Sequence, residues 1–165
     1  FTLREALAHQ AQLEPGIAFH VEAMKKTKKK TDPVFSERPT EKYSVRVSSN
    51  LYISNEYKEK MFNRIKESKL LPEKKYTYSD LCFMLFPDVI SNITNCGYEN
   101  YLEKTFLSRL GAQSVHYNPY RFYPTNRIVP TERDETFRKE VLQGFVHDEA
   151  AAMLGGISGS AGLFS

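Results

Sequence analysis

Hydrophobic residues recur at helical spacing near the middle of the chain. Tyr57, Met61 and Ile65 are four residues apart, which predicts one apolar stripe of a helix that packs against a core. Ser54 or Asn55 is expected to cap this helix, because a short side chain with an oxygen accepts hydrogen bonds from the free N–H groups of the first turn. The stripe is therefore assigned to the core and not to a cofactor site.

A polar, aromatic turn leads directly into an apolar block that begins at Leu81. The block predicts a helix buried on most sides, with Ser79 or Asp80 as its cap. Pro87 lies inside it, and proline removes a backbone hydrogen bond and crowds the preceding turn. We therefore expect a kink or a break at Pro87, and the end of the helix at Asn95.

Two further helices are predicted from their ends. Thr2 and Glu5 match a capping box, and Pro15-Gly16 should end the helix that they begin. Another helix should run from about residue 99 to 110, with Gly111 as its left-handed C-terminal residue. The inward face of this second helix is expected to contain Tyr101, Leu102, Phe106 and Leu110.

The other predicted elements are short. Tyr43, Val45 and Val47 alternate with polar residues, which favours a strand, although no downstream partner of similar strength is evident. Residues 134–142 are expected to form a short helix. Asp148 should cap a helix of small residues that continues to Met153.

Four glycines lie within residues 155–162. No predicted strand precedes them, so they do not match a dinucleotide-binding fingerprint. We expect these glycines to provide turns of positive φ or close backbone approach.

Composition is that of a soluble globular domain. The 165 residues are 41% hydrophobic and 26% charged, and the net charge of +3 does not by itself indicate a nucleic-acid partner. No apolar run reaches the roughly 20 residues of a membrane-spanning helix. Cys82 and Cys96 would lie about 21 Å apart on one helix, so we expect free thiols. Two cysteines without paired spacing do not make a metal site, and we expect no cofactor.

Both ends of the chain suggest a part of a longer domain. It begins at Phe1 without an initiator Met, and it ends in the apolar stretch Gly162-Leu163-Phe164-Ser165. We therefore treat residues 1–165 as one partial domain.

Two basic segments offer an alternative chemistry. Residues 25–33 are rich in lysine and would suit an anionic polymer, but charge runs of this kind are more often solvated loops. Residues 113–135 combine prolines, aromatic rings and arginines, which could stack on bases or hold a long loop against the body. We favour the loop interpretation for both and expect no nucleic-acid partner.

Tyr78 and Asp80 flank the start of the apolar helix that begins at Leu81. Asp80 could simply cap the helix, or both side chains could project into a substrate cleft. Residue types alone leave the two alternatives open.

Four stretches, taken together and in order, carry a resemblance to one family. The stretches are Thr2-Leu3-Arg4-Glu5-Ala6-Leu7-Ala8-His9-Gln10, Tyr78-Ser79-Asp80-Leu81, Gly144-Phe145-Val146-His147-Asp148-Glu149, and Met153-Leu154-Gly155-Gly156 through Ala161-Gly162-Leu163-Phe164-Ser165. They resemble the penicillin-recognising serine hydrolases of the class C β-lactamase and D-alanyl-D-alanine peptidase type. The resemblance is strongest to a bacterial branch in which such a domain can follow a glycoside hydrolase of the β-N-acetylglucosaminidase type.

The resemblance implies a mainly α fold, the helical subdomain of the β-lactamase/transpeptidase-like fold without its main sheet and nucleophile helix. Family members combine a Ser-x-x-Lys helix, a Tyr-x-Asn turn and a Lys-Thr-Gly or His-x-Gly strand. Only the turn is present here, as Tyr78-Ser79-Asp80, and no serine is followed three residues later by lysine. By resemblance, Tyr78 is the catalytic residue and Asp80 the substrate-binding one, with Asp in place of the usual Asn.

The implied function is acyl-enzyme hydrolysis of amide or ester bonds in cell-wall metabolism, with this chain inactive alone. The alternative is a non-catalytic peptidoglycan-binding or protein-interaction module. Implied partners are a small-molecule or peptide substrate, the rest of the hydrolase domain, and a second copy through exposed apolar surface. The resemblance implies the bacterial periplasm or cell envelope and supports no role for Ser160, where the branch is expected to have His. His9 and His147 are assigned structural roles, because a lone histidine is more often structural than catalytic.

Overall fold

The computed structural model describes residues 1–28 and 33–165. Of these residues, 39% are helical and 12% lie in strands, so the fold is mixed, with more helix than strand. The helices are α1 (Leu3–Leu7), α2 (Phe19–Lys28), α3 (Tyr57–Lys66), α4 (Leu81–Thr94), α5 (Tyr98–Leu102), α6 (Ser108–Leu110) and α7 (Glu149–Met153). A π-helical turn, Glu103–Leu107, joins α5 to α6, and 3-10 turns occur at Pro119–Arg121 and Thr125–Arg127.

The strands form three small antiparallel sheets. They are β1 (Phe35–Ser36), β2 (Val45–Arg46), β3 (Tyr52–Ile53), β4 (His116–Tyr117), β5 (Pro130–Asp134), β6 (Glu140–Gln143) and β7 (Leu163–Phe164). The first sheet has the order β1-β3-β2, whereas β4 pairs with β7 and β5 with β6. The predicted strand around Val45 therefore has a partner, Tyr52–Ile53, which is too short to stand out in the sequence.

One buried cluster connects α2, α3, α4, α7 and the first sheet. Tyr57, Met61 and Ile65 are all buried in it, as their spacing predicts. The expected cap is wrong, because the side chain of neither Ser54 nor Asn55 bonds to the first turn of α3. Asn55 instead accepts hydrogen bonds from the backbone N–H and the hydroxyl of Ser44, at 3.0 and 2.8 Å.

Helix α1 begins with the predicted capping box. The Glu5 N–H donates to Thr2 Oγ1 at 3.2 Å, and the Thr2 N–H donates to the Glu5 carboxylate at 2.8 Å. The helix ends at Leu7 and does not reach Pro15, because His9 and Gln12 have φ values of 55° and 57°. Left-handed backbone cannot continue a right-handed helix.

The predicted inward face of residues 99–110 is partly wrong. Phe106 is 48% exposed and Leu110 is 76% exposed. Phe106 lies within the π-helical turn Glu103–Leu107 and Leu110 follows it, so neither keeps the spacing of a uniform α-helix. Gly111 ends the segment in the left-handed conformation, as predicted.

Residues 134–142, predicted as a helix, belong to the β5–β6 hairpin. The carboxylate of Asp134 accepts hydrogen bonds from the N–H groups of Thr136, Phe137 and Arg138, at 2.9 to 3.0 Å, which fixes a turn. The Arg138 guanidinium donates to the same carboxylate at 2.7 Å, with its side chain fully buried. Burial alone would raise the pKa of Asp134, but these hydrogen bonds outweigh it and hold the pKa well below its usual range.

The two basic segments, predicted as loops, contain helix, strand or 3-10 turns where the structure describes them. Helix α2 extends through residue 28, held by the buried side chains of Phe19 and Ala23, so it includes the first part of the predicted loop 25–33. Residues 29–32 lie outside the described residues. Residues 113–135 contain β4, two 3-10 turns and all of β5 within otherwise irregular chain.

The remaining predictions concern thiols and metals. Cys82 and Cys96 are both free. Within residues 1–28 and 33–165, no helix is long and apolar enough to cross a membrane, and no cluster of His, Cys, Asp and Glu side chains could hold a metal ion.

Asp134→Asn should lower the free energy of unfolding at neutral pH by about 3 kcal/mol, because it removes the carboxylate that the buried Arg138 guanidinium contacts at 2.7 Å and leaves only the more distant Glu132, at 3.9 Å. The folded-state pKa of Asp134 is depressed. Its contribution is therefore complete above the ordinary Asp pKa of about 3.9 and is lost as the pH falls through the folded-state value. The difference between variant and wild type should accordingly shrink in acid. Urea denaturation at several pH values measures this.

The control is Asp88→Asn, which removes an exposed ion pair with Lys58. Such pairs contribute about 1 kcal/mol or less. Equal effects of the two variants, or a difference that does not change with pH, would contradict the assignment.

Candidate active site

Tyr78 and Asp80 lie side by side at the start of α4. The Tyr78 hydroxyl donates a hydrogen bond to Asp80 Oδ1 at 2.9 Å, and the Tyr78 side chain is 55% exposed. The pair is therefore accessible to solvent, and the two polar groups point toward each other.

Ser79, between them, performs the capping role. Its hydroxyl accepts from the Leu81 N–H at 3.3 Å, whereas the Asp80 side chain makes no capping bond. Ser79 is buried and donates its hydroxyl to the Glu14 carbonyl at 2.6 Å. Of the two candidate roles of Asp80, the helix cap is performed by Ser79 instead. The Asp80 carboxylate accepts the hydrogen bond from Tyr78.

The segment after α1, residues 9–15, is hydrogen-bonded to this turn and to the chain before it. The Thr77 N–H donates to the His9 carbonyl at 2.9 Å, and the Asp80 N–H donates to the Pro15 carbonyl at 3.2 Å. The Leu71 N–H donates a hydrogen bond to the Gln12 carbonyl at 2.6 Å, and the Gln12 side-chain amide donates one to the Leu71 carbonyl at 2.7 Å. An irregular segment is therefore ordered by polar contacts with residues some 60 positions later.

The ring of His9 also lies against the turn. Its centroid is 4.6 Å from that of Tyr78 and 5.3 Å from that of Phe83, and the Ser79 N–H donates to Nδ1 at 3.2 Å. His9 was predicted to be structural, and its contact with Tyr78 could not be read from the sequence. The sequence pointed to His9 only through its place in residues 2–10, one of the four stretches that carry the resemblance.

The electrostatic surroundings of Tyr78 are acidic. The hydrogen bond to Asp80, followed by the charge of Asp80, raises the pKa of Tyr78 above its ordinary value. The charge of Asp148 raises this pKa further. In these surroundings the phenol stays protonated at neutral pH and acts as a hydrogen-bond donor.

Pro87 does not break α4, which runs from Leu81 to Thr94. The carbonyl four residues before a proline loses its helical partner, because proline has no N–H. Here that carbonyl belongs to Phe83, and it accepts from the Gly159 N–H at 3.2 Å. The predicted break is therefore wrong, and the freed carbonyl instead binds the glycine-rich segment.

The other side of the glycine-rich segment is held by β4 and the residue after it. The Tyr117 hydroxyl donates to the Ser158 carbonyl at 2.8 Å, and the Asn118 side-chain amide donates to the Gly155 carbonyl at 2.8 Å. Gly156 has a φ of 79° and packs directly on the Asn118 side chain. Positive φ and close approach are thus both found in this segment, as predicted.

Asp148 caps α7 as predicted, accepting from the Ala151 N–H at 2.6 Å. The Arg138 guanidinium binds the chain just before it, donating to the carbonyls of Val146 and His147 at 2.7 and 2.5 Å. The His147 side chain is exposed. Buried Arg138 therefore fixes the start of the helix from which Asp148 acts on Tyr78.

Ser160 lies apart from these contacts with Tyr78. Its hydroxyl is 2.8 Å from that of Ser158, which is buried. The contact is internal to the glycine-rich segment.

The chain shares partial similarity with curated bacterial proteins. A protein of Salmonella gallinarum named "Putative D-alanyl-D-alanine carboxypeptidase" is 36% identical over 106 residues, covering 57% of this chain and 24% of the relative. Proteins of the same name from Salmonella paratyphi B and Salmonella newport match with the same identity and coverage. The chain thus spans about a quarter of the length of these relatives. No protein-family model matches, and no solved structure matches.

Gly159→Ala should destabilise the protein by about 1–3 kcal/mol, the usual cost of overpacking. A Cβ at this position would lie 2.5 Å from the Phe83 carbonyl oxygen, so the docked segment must move away from α4. The midpoint of urea denaturation measures the change. The control is Gly16→Ala, since a Cβ there meets no atom within 4 Å. A Gly159→Ala variant as stable as the control would show that the contact contributes nothing.

Asp80→Asn should lower the pKa of Tyr78 toward its ordinary value, because the negative charge beside the phenol is removed. Carbon-13 NMR of the tyrosine ring carbon that bears the hydroxyl follows this titration, with Tyr78→Phe identifying the signal among the 10 tyrosines. Asp88→Asn, on the same helix, should leave the signal unchanged. A Tyr78 pKa that stays the same in Asp80→Asn would refute the described electrostatics.

Proposed function

We propose that this chain is the helical part of a serine hydrolase of the β-lactamase and D-alanyl-D-alanine peptidase type. The supporting observation is the Tyr78–Asp80 pair, joined by a 2.9 Å hydrogen bond and fixed at the start of α4, a helix that buries Leu81, Met84 and Pro87. The partial similarity to Salmonella proteins named as carboxypeptidases supports the same assignment. Cell-wall peptides that end in D-alanine are accordingly the proposed substrate class.

In this proposal the reaction proceeds through an acyl-enzyme. A serine hydroxyl from outside this chain attacks the carbonyl carbon of the substrate, the amine leaves with a proton, and water then hydrolyses the ester. No serine here is followed three residues later by lysine, so the chain does not supply a Ser-x-x-Lys motif. We therefore expect residues 1–165 alone to be inactive.

Tyr78 is proposed to transfer the proton. Its pKa is raised by Asp80 and Asp148, which is opposite to what a base requires near neutral pH. A lysine ammonium next to the pair would reverse this effect, since a nearby positive charge favours the phenolate. The two carboxylates would in turn stabilise such a lysine.

Asp80 is proposed to contact the substrate or that lysine. An ionised carboxylate only accepts hydrogen bonds, whereas an Asn amide also donates them. Asp80 therefore suits an N–H or ammonium group and not a carbonyl oxygen. This distinguishes the proposed site from one built on Tyr-x-Asn.

The proposed partners and cellular location follow from the assignment to the serine hydrolases. The partners would be a small peptide substrate and the rest of the hydrolase domain, which would cover exposed apolar residues such as Ile93 and Leu110. Without that cover the chain is expected to self-associate. We propose no cofactor, no nucleic-acid partner, and a location in the bacterial cell envelope.

Labelling with a fluorescent penicillin tests the proposal. Residues 1–165 alone should not be labelled, whereas the complete polypeptide that the gene encodes should be labelled and should hydrolyse an acyl-D-alanyl-D-alanine peptide. Tyr78→Phe in that polypeptide should lower kcat by a factor of about 100 or more, since it removes the proposed proton transfer. Phe122→Ala, which shortens an exposed aromatic residue elsewhere, is the matched control.

Failure of the complete polypeptide to react would overturn the hydrolase assignment. Binding of peptidoglycan fragments without acylation would then favour a non-catalytic binding module, the alternative that the absence of a Ser-x-x-Lys motif in this chain leaves open.

A further inference from the structure

We propose that His9 is a positioning residue that holds the Tyr78 phenol toward Asp80. The proposal rests on the function assigned to Tyr78 above, and it adds a residue that is distant in sequence and does not itself contact Asp80 through a hydrogen bond. It is carried by three separate contacts between His9 and residues 77–79.

Two of these contacts fix the backbone on both sides of Tyr78. The His9 carbonyl accepts from the Thr77 N–H at 2.9 Å, and the His9 ring Nδ1 accepts from the Ser79 N–H at 3.2 Å. The chain around Tyr78 is therefore held at the residue before it and at the residue after it. Because Nδ1 accepts, the ring proton lies on Nε2.

The third contact fixes the Tyr78 side chain. The His9 ring is tilted by 39° against the phenol ring, with centroids 4.6 Å apart. Phe83 and Tyr76 contact the other parts of the imidazole, at 5.3 and 5.8 Å between centroids. The imidazole is thus packed between Tyr76 and the α4 residue Phe83 and contacts the half-exposed phenol ring.

The backbone of His9 explains why the residue type matters. Its φ of 55° lies in the left-handed region, where His, Asn and Asp are enriched among non-glycine residues. Asn at this position would keep both the left-handed backbone and an acceptor oxygen in place of Nδ1, but would have no ring. His9→Asn therefore separates the backbone contacts from the ring contact.

The test uses residues 1–165 with His9→Ala and His9→Asn. NMR measures the rotamer of Tyr78 from its χ1 couplings, and hydrogen exchange measures the amides of Thr77 and Ser79 relative to those of α3. His9→Ala should speed exchange at the Ser79 amide about tenfold or more while α3 is unchanged. In both variants the Tyr78 couplings should change from a single rotamer to an average.

His9→Asn should restore slow exchange at Ser79 but not the single Tyr78 rotamer. The control His116→Ala removes an imidazole that stacks on Phe122 at 4.2 Å, and it should alter neither measurement. A role in overall stability alone would accelerate α3 exchange as well and leave the Tyr78 rotamer fixed. A single, unchanged Tyr78 rotamer in His9→Asn overturns the proposal, even if His9→Ala does not fold.

The inference can fail separately from the proposed function. If Tyr78→Phe leaves hydrolysis by the complete polypeptide unchanged while His9→Asn releases the phenol, the positioning is correct and the function is wrong. If Tyr78→Phe abolishes hydrolysis while His9→Asn leaves both the rotamer and kcat unchanged, the function stands and the positioning is wrong. If both the positioning and the function are correct, His9→Asn should lower kcat more than it raises KM. A misplaced phenol reduces stabilisation of the transition state more than it reduces substrate binding.

Discussion

The hydrogen bond from the Gly159 N–H to the Phe83 carbonyl is the contact on which the arrangement of this chain depends. A proline inside a helix leaves one carbonyl without a partner, and an unsatisfied buried carbonyl is costly. Pro87 creates that group on α4, and the glycine-rich segment satisfies it. Since a side chain at residue 159 would collide with the same oxygen, proline and glycine act together as one docking site. Helix α4, which begins directly after the Tyr78–Asp80 turn, is thereby fixed to the C-terminal segment.

The opposite side of that turn is ordered by polar contacts together with a small buried cluster of Ala6, Ala11 and Leu13 that packs against Cys82. Residues 9–15 have no regular structure, yet their backbone carbonyls accept from Thr77, Ser79 and Asp80. His9 and Gln12 have left-handed backbone, and their carbonyls accept from the N–H groups of Thr77 and Leu71. Ordering irregular chain costs conformational entropy, and several hydrogen bonds to a second irregular segment offset that cost. The Tyr78–Asp80 turn therefore joins two loops and a helix, and it is not a free surface loop.

Features set by residues within about four positions of one another could be predicted from the sequence. The capping box of α1, the buried stripe of α3, the left-handed Gly111 and the cap at Asp148 are of this kind. The errors arose in part from distant contacts and in part from local departures from regular geometry. The partner of the Phe83 carbonyl lies 76 residues away. The turn at Asp134 is stabilised by Arg138, whose buried guanidinium also binds residues 146 and 147. The π-helical turn at Glu103–Leu107 moves Phe106 and Leu110 out of the expected face, and spacing rules assume a uniform helix.

The candidate site also combines a feature that could be predicted from the sequence with one that could not. The proximity of Tyr78 and Asp80 could be inferred from a spacing of two residues at a helix start, but their charge environment could not. The charge of Asp148, the cap of α7, also raises the pKa of Tyr78, and Arg138 binds the two carbonyls that precede Asp148. The charges that act most strongly on the phenol are thus negative, and they favour its protonated form. A phenol in this state donates a hydrogen bond well and accepts a proton poorly. Any reaction in which Tyr78 serves as a base therefore requires a positive charge close to it, and the same carboxylates that oppose the phenolate would attract that charge.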